Sequence, residues 1–250
     1  MEQQDKPPEA EALHIENAAV LDCVKQWNAE GKHVIFAPNH LCPSTLLAVG
    51  MISDDYFHLR KALRQHGVHA TPVIRADLDM PIGNNPVLGK IYDVSRRVFS
   101  ALERKITGGI TLGVNVHEPD RMSVANVPAA REILRTAKEN NLVLYPYGNW
   151  FKPREQEFDP AKDLDDGSGF VRRKQDFPRW RTSLKKGTFA TARMTGNPVV
   201  PVYVEYEGKH WTITFGEPIL PPTDLPKHEA ELAMAKEYLA EMQRMRFQGK

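Results

Sequence analysis

Residues 34–50 read VIFAPNHLCPSTLLAVG. Val34 to Ala37 is a β-branched and aromatic run with no polar alternation, the pattern of a strand buried on both faces. The run stops at Pro38, and Asn39 and His40 follow before a second apolar run begins. In open α/β sheets, ligands and reactive groups gather beyond the carboxyl ends of the strands. A polar Asn-His pair at the end of a buried strand therefore raises a question of function as well as of fold.

Working outward, the rest of the chain alternates strand and helix patterns. Leu13, Val20, Leu21, Val24 and Trp27 fall at helical spacing between Ala10 and Glu30, and Gly31 is the expected stop. STLLAVGMI reads as a helix capped by Ser44 or Thr45, FHLRKALRQHG as a shorter helix ending at Gly67, and ATPVIRA as a second strand. Residues 77–89 are rich in Pro, Gly and Asn and read as loop. LGKIYDVSRRVFSALERKIT is expected to be helical, GGITLGVNV a third strand, NVPAAREILRTAKENN a helix, and LVLYPYGNW a fourth strand running into a turn.

Residues 151–183 form a long polar stretch, of the kind that is functional or mobile when it interrupts a compact domain. LKKGTFATARMTG then reads as helix, and PVVPVYVEYEGKHWTITFGEPI as two strands about a Glu-Gly turn. A last helix starts at Lys227, with Leu232, Tyr238, Leu239, Met242 and Met245 on one face. This alternation predicts an α/β fold with a mainly parallel central sheet flanked by helices. The expected organisation is a disordered tail over residues 1–9 and a single domain over 10–250, with an insertion at about 151–183.

Composition narrows the function classes. A chain of 250 residues with 41% hydrophobic content is large enough for one sizeable core. A net charge of +1 argues against nucleic acid as a partner. Two cysteines, Cys23 and Cys42, are too few for a disulfide framework and fit a reducing compartment. The first 14 residues, MEQQDKPPEAEALH, lack a basic region followed by an apolar one, so no signal peptide is expected. The longest apolar run, Thr45 to Ile52, is far short of the roughly 20 residues of a spanning helix. The expectation is a cytoplasmic protein, peripheral to a membrane if it meets one.

Several familiar sites are excluded. DPAKDLDDGSG lacks the acidic spacing of an EF-hand, no Cys-His grouping has zinc spacing, and GGITLGVNV lacks dinucleotide-loop spacing. No metal and no resident cofactor is expected. VRRKQDFPRWRTSLKK carries Arg172, Arg173, Lys174, Arg179, Arg181, Lys185 and Lys186 against Asp176, with Phe177 and Trp180 interleaved. Such a patch suits an anionic membrane surface or the phosphates of coenzyme A, and a solvated basic loop is the plainer alternative.

Four blocks in order resemble the glycerolipid (lysophospholipid) acyltransferase superfamily. Its first motif is Asn-His, four variable residues, then Asp. Here NHLCPST has Thr45 at the place of the Asp. Its Phe-Pro-Glu-Gly-Thr-Arg-Ser motif is matched by YPYGNWF, which keeps Pro146 and Gly148 and has Tyr147 for the Glu. LKKGTFATARMTGNPVVPVYV resembles the family's Lys-Lys-Gly, helix, Gly, Val-Pro-Val region. The family's remaining motif is a Gly-led strand ending in Arg; GGITLGVNV has the strand, without that Arg.

The resemblance implies an acyltransferase that moves an acyl chain from a thioester donor, acyl-CoA or acyl carrier protein, to a hydroxyl or amine acceptor. It implies His40 as general base and places Thr45 in the role of the orienting carboxylate. The residues expected to meet substrate are Asn39, which also pins the turn, Tyr147, Gly148 and Asn149, of which Tyr147 and Asn149 read equally as turn residues, and Arg179, Arg181, Lys185 and Lys186 of the basic patch. A neutral imidazole accepts a proton at pH 7, and a carboxylate beside it fixes the tautomer and steadies the imidazolium. Thr45 offers a hydrogen bond but no charge.

Three routes remain open. Asp77, Asp79 or the Asp163, Asp165, Asp166 group supplies the carboxylate; a more acidic acceptor needs less base; or the chain binds acyl chains or lipid without turnover. A hydrolase using Cys42 or Ser44 with His40 is a further alternative.

Overall fold

The computed structural model describes residues 12–39, 54–75, 109–112, 126–146, 187–207 and 210–247. The described elements run in the order β1 (Ala12–Glu16), α1 (Ala19–Ala29), β2 (Ile35–Pro38), α2 (Asp54–Gln65), β3 (Ala70–Arg75), β4 (Ile110–Leu112), α3 (Asn126–Glu139), β5 (Asn141–Val143), α4 (Gly187–Thr195), β6 (Val199–Glu207), β7 (His210–Phe215) and α5 (Lys227–Phe247). The strands form one sheet in the order β1-β7-β6-β2-β5-β3-β4. Every neighbouring pair is parallel except the β6–β7 hairpin. The fold is α/β, with a mainly parallel sheet flanked by helices, as the alternation of patterns predicted.

Side-chain alternation divides the core into two layers. Ile35, Ala37, Leu142, Leu144, Val199 and Tyr203 point to one face and pack with α3, α4 and α5. Val34, Phe36, Val143, Val200, Val202 and Val204 point to the other and pack with α1 and α2. All four residues of β2 are buried, which explains its unbroken apolar sequence. Alternation within α5 follows the helical period instead: Met234, Ala235, Tyr238, Leu239 and Met242 form the buried stripe. Leu232, grouped by its type with that stripe, is only half-buried.

Helix ends follow local chemistry. Gly67 has φ of 70°, and the Val68 N–H donates to the Leu63 carbonyl while the Gly67 N–H donates to that of Arg64. This is a Schellman closure, with Val68 and Leu63 buried together. Gly31, at φ 75°, closes α1 by the same pair of bonds.

The amino-terminal region departs from the single helix expected over Ala10 to Glu30. Leu13 belongs to β1, which pairs parallel with β7 at the sheet edge. Leu13 and Ile15 alternate with exposed neighbours, and Asn17, at φ 53°, breaks the chain direction before α1 begins. The Asn17 side chain donates to the Phe215 carbonyl, tying that break to the end of β7.

The tail over residues 1–9, the helix expected over STLLAVGMI, the loop over 77–89, the helix expected over LGKIYDVSRRVFSALERKIT and the insertion over 151–183 lie outside the described residues. Among the described residues no helix is long and apolar enough to cross a membrane.

Candidate active site

The chain leaves β2 at Asn39 and β5 at Leu144 to Pro146, and these two strands are parallel neighbours in the middle of the sheet. Ile35 pairs with Leu142 and Phe36 with Val143, and the Leu144 N–H donates to the Phe36 carbonyl at 2.9 Å. At that same offset Asn39 falls level with Pro146.

From β2 the chain goes on to α2 and then to β3, beyond β5. From β5 it goes on to α4 and then to β6, beyond β2. The two helices lie on opposite faces, α2 with Tyr56, Leu59, Ala62 and Leu63 in one layer and α4 with Phe189 and Ala192 in the other. These two connections therefore cross opposite faces of the sheet and end on strands on opposite sides of the β2–β5 pair. That is a topological switch point, the place where an open α/β sheet leaves a crevice beyond its strands.

Asn39 shapes the exit from β2. It is fully buried, and its backbone N–H donates to the Val202 carbonyl at 3.2 Å. Its Nδ2 donates to the Val204 carbonyl at 2.9 Å, and its Oδ1 accepts from the Val204 N–H at 2.6 Å. The side-chain amide thereby stands in for the next peptide group of β2. Val204 keeps both ladder bonds, and the main chain is released from β6 at this point.

At the other end of the same strands Asn141 works in a similar way. Its Oδ1 accepts from the Val34 N–H at 2.9 Å, and its Nδ2 donates to the His69 carbonyl at 2.8 Å. One amide therefore ties the starts of β2, β3 and β5 together. Neither asparagine carries a sequence signal that separates this role from a ligand-binding one; the strand-end position of Asn39 was the available clue.

Of the residues singled out by sequence, Asn39 is described, together with Pro146, which is buried. His40, Thr45, Tyr147, Gly148, Asn149, Arg179, Arg181, Lys185 and Lys186 lie outside the described residues. The helix that Lys185 and Lys186 precede is α4, and it leads into β6, which flanks β2 on the side away from β5. The strand GGITLGVNV is present as β4 at the sheet edge, two strands beyond β5.

Aromatic rings sit near the same end of the sheet. His58, near the start of α2, stacks on Trp211 with centroids 4.4 Å apart, and Tyr206 lies tilted against that indole at 4.7 Å. No local pattern announces this cluster, because its members come from three separate elements.

No protein-family model matches the chain, and no curated protein matches it. Among solved structures it is similar to the 1-acyl-sn-glycerophosphate (LPA) acyltransferase PlsC of Thermotoga maritima, at 13% identity and a TM-score of 0.43, over 95% of this chain and 73% of that one.

Proposed function

We propose that the chain is an acyltransferase that moves an acyl group from a thioester, carried on coenzyme A or acyl carrier protein, to a hydroxyl or amine acceptor. The observation that carries this reading is the order β6-β2-β5 at the centre of the sheet. Three motif blocks far apart in sequence each reach one of these adjacent strands: Asn39 closes β2, Pro146 follows β5, and the block that opens at Lys185 runs on through α4 into β6. Covalent geometry alone holds the Cα of His40 about 3.8 Å from that of Asn39. The switch point between β2 and β5 is where a substrate cleft of this fold class opens.

In this mechanism His40 takes the proton of the acceptor hydroxyl or amine as that atom attacks the thioester carbonyl, the C–S bond breaks, and the imidazolium returns the proton to the departing thiolate. The imidazole acts at neutral pH without a metal. Asn39 is a positioning residue: its amide is bound to Val204, so its part is to end β2 where His40 follows. Thr45 would accept a hydrogen bond from the imidazole. Tyr147, Gly148 and Asn149 would meet the acyl carbonyl or the acceptor. Lys185, Lys186, Arg179 and Arg181 would meet phosphate on the donor or an anionic membrane surface.

A second reading is favoured by one sequence feature, the neutral residues Thr45 and Tyr147 where the family has Asp and Glu. In that reading the chain holds an acyl chain or lipid without turning it over. Thiol release from a panel of acyl-CoA and acyl-carrier thioesters, with lysolipid, sugar and amine acceptors, separates the two. Acceptor-dependent release that disappears in His40→Ala supports transfer. Tight acyl-ligand binding with no release above that variant supports the binding-only reading.

A further inference from the structure

A cavity of about 120 Å3 lies between α2 and the lead into β3, lined by Tyr56, Arg60, Arg64 and His69 over an apolar floor that includes Leu63 and Val68. It is several times the space a single water needs. None of the described residues lining it is acidic. Arg60 and Arg64 are one helical turn apart and so share a face of α2, with Tyr56 one turn before them.

The frame of this cavity is built rather than incidental. The Schellman closure at Gly67 turns the chain back beside α2, and Val68 and Leu63 anchor it in the core. The His69 carbonyl is held by Asn141. The half-charge at the carboxyl end of α2 opposes an anion there, but the Arg64 guanidinium alone carries about twice that charge.

The cavity is also separate from the β2–β5 crevice. Ala70 pairs with Asn141, whose side chain meets Val34, so the start of β3 is level with the start of β2. Asn39 is five residues further along, about 17 Å at strand rise.

We infer that this cavity is a binding site for a tetrahedral oxyanion, of the phosphate class, held by Arg60, Arg64 and His69. Guanidinium forks match phosphate oxygens in pairs, and buried Leu63 and Val68 keep water from the floor of the site. The site stands independently of the acyl-transfer reading, since none of its residues belongs to that cleft.

The test is an amide chemical-shift titration of the full chain with inorganic phosphate, following Gly67, Val68 and Ala70. The expected result is saturable binding, weakened about tenfold or more in Arg64→Gln and in His69→Gln. Lys61→Gln, an exposed basic position on the same helix that does not line the cavity, serves as control and is expected to leave the Kd unchanged. Unchanged thermal midpoints show that the variants fold.

A parallel arm uses phosphatidylcholine vesicles with and without phosphatidic acid. Binding to phosphate but not to vesicles assigns a soluble phosphate ligand, and binding to both assigns a headgroup. Absence of saturation by either probe overturns the inference, as does equal weakening in Lys61→Gln, which would mark diffuse attraction to a basic helix.

Discussion

The side chain of Asn39 holds both the N–H and the carbonyl of Val204, so a single amide closes the ladder of β6 where β2 ends. Asn39→Ala is expected to leave two buried backbone groups without partners. At about 1–3 kcal/mol for each orphaned group, the loss is roughly 2–6 kcal/mol. Asn39→Asp keeps an acceptor for the Val204 N–H and loses the donor to its carbonyl, so it too is expected to destabilise. Urea unfolding of the two variants checks this. Wild-type midpoints in both would show that the amide contributes nothing to the fold.

Gly216 is constrained by space and not by backbone angle. A Cβ there would stand 2.8 Å from Cγ and Oε1 of Glu241 on α5. Gly216→Ala is therefore expected to destabilise by about 1–3 kcal/mol, the usual cost of overpacking. Glu241→Ala removes the clash but also the acceptor for the Glu217 N–H, at 2.8 Å, and the partner of Arg244. The double variant should then be more stable than the sum of the two single losses predicts, a coupling that a double-mutant cycle reads directly.

The same carboxylate makes a pH prediction. Hydrogen bonding from Arg244, and then from the Glu217 N–H, outweighs burial and holds the Glu241 carboxyl below its ordinary range. A depressed folded value means that the stabilisation is fully present above the unfolded value, about 4.3, and is lost as pH falls through the folded one. The difference in unfolding midpoint between wild type and Glu241→Gln should hold at neutral pH and shrink below about pH 4. A difference independent of pH would assign the effect to packing.

Thr45→Asp tests the acyl-transfer reading from the opposite side to a knockout. Loss of the orienting carboxylate's charge costs about 10⁴ in serine proteases. If His40 works without such a partner, supplying one is expected to raise acceptor-dependent thiol release by about tenfold or more. If another carboxylate already reaches His40, the rate should stay flat, and Asp77, Asp79 and the Asp163 to Asp166 group become the residues to replace.

Much of the fold was legible in the sequence because buried parallel strands and amphipathic helices write strong, different periods. Ile35 to Pro38, Ala70 to Arg75 and Val199 to Glu207 are strands inside the stretches that read as strands, and Gly31 and Gly67 end helices as expected. The strand β1 was hidden because Leu13 lies seven residues before Val20, a spacing that also suits a helix, and its half-exposed alternation is faint. Leu232 illustrates the complementary failure. Its residue type suggested the core, but α5 buries Met234 and Ala235 in its place, and small Ala235 gives no hydrophobic signal to match.

The candidate site was legible as a set of strand-end motifs, and its chemistry less so. Position along the chain located Asn39 at a strand end. That its amide would answer Val204, 165 residues away, depends on β6 lying beside β2, which no local pattern states. The basic cavity likewise joins Arg60 and Arg64 to His69 across a turn whose geometry comes from the αL conformation of Gly67.

The pairing of β1 with β7 joins Ala12 to His210 and Glu16 to Thr214, across nearly the whole chain. During synthesis the first strand therefore leaves the ribosome long before the edge it will occupy exists. At about 5–20 residues per second it waits roughly ten to forty seconds for its neighbour. Its alternating exposed residues suit that interval, since a strand with Ala12, His14 and Glu16 on one side offers little for premature association. Pairing of β1 is then a late event, and the strand works as a latch on the edge that β7 provides.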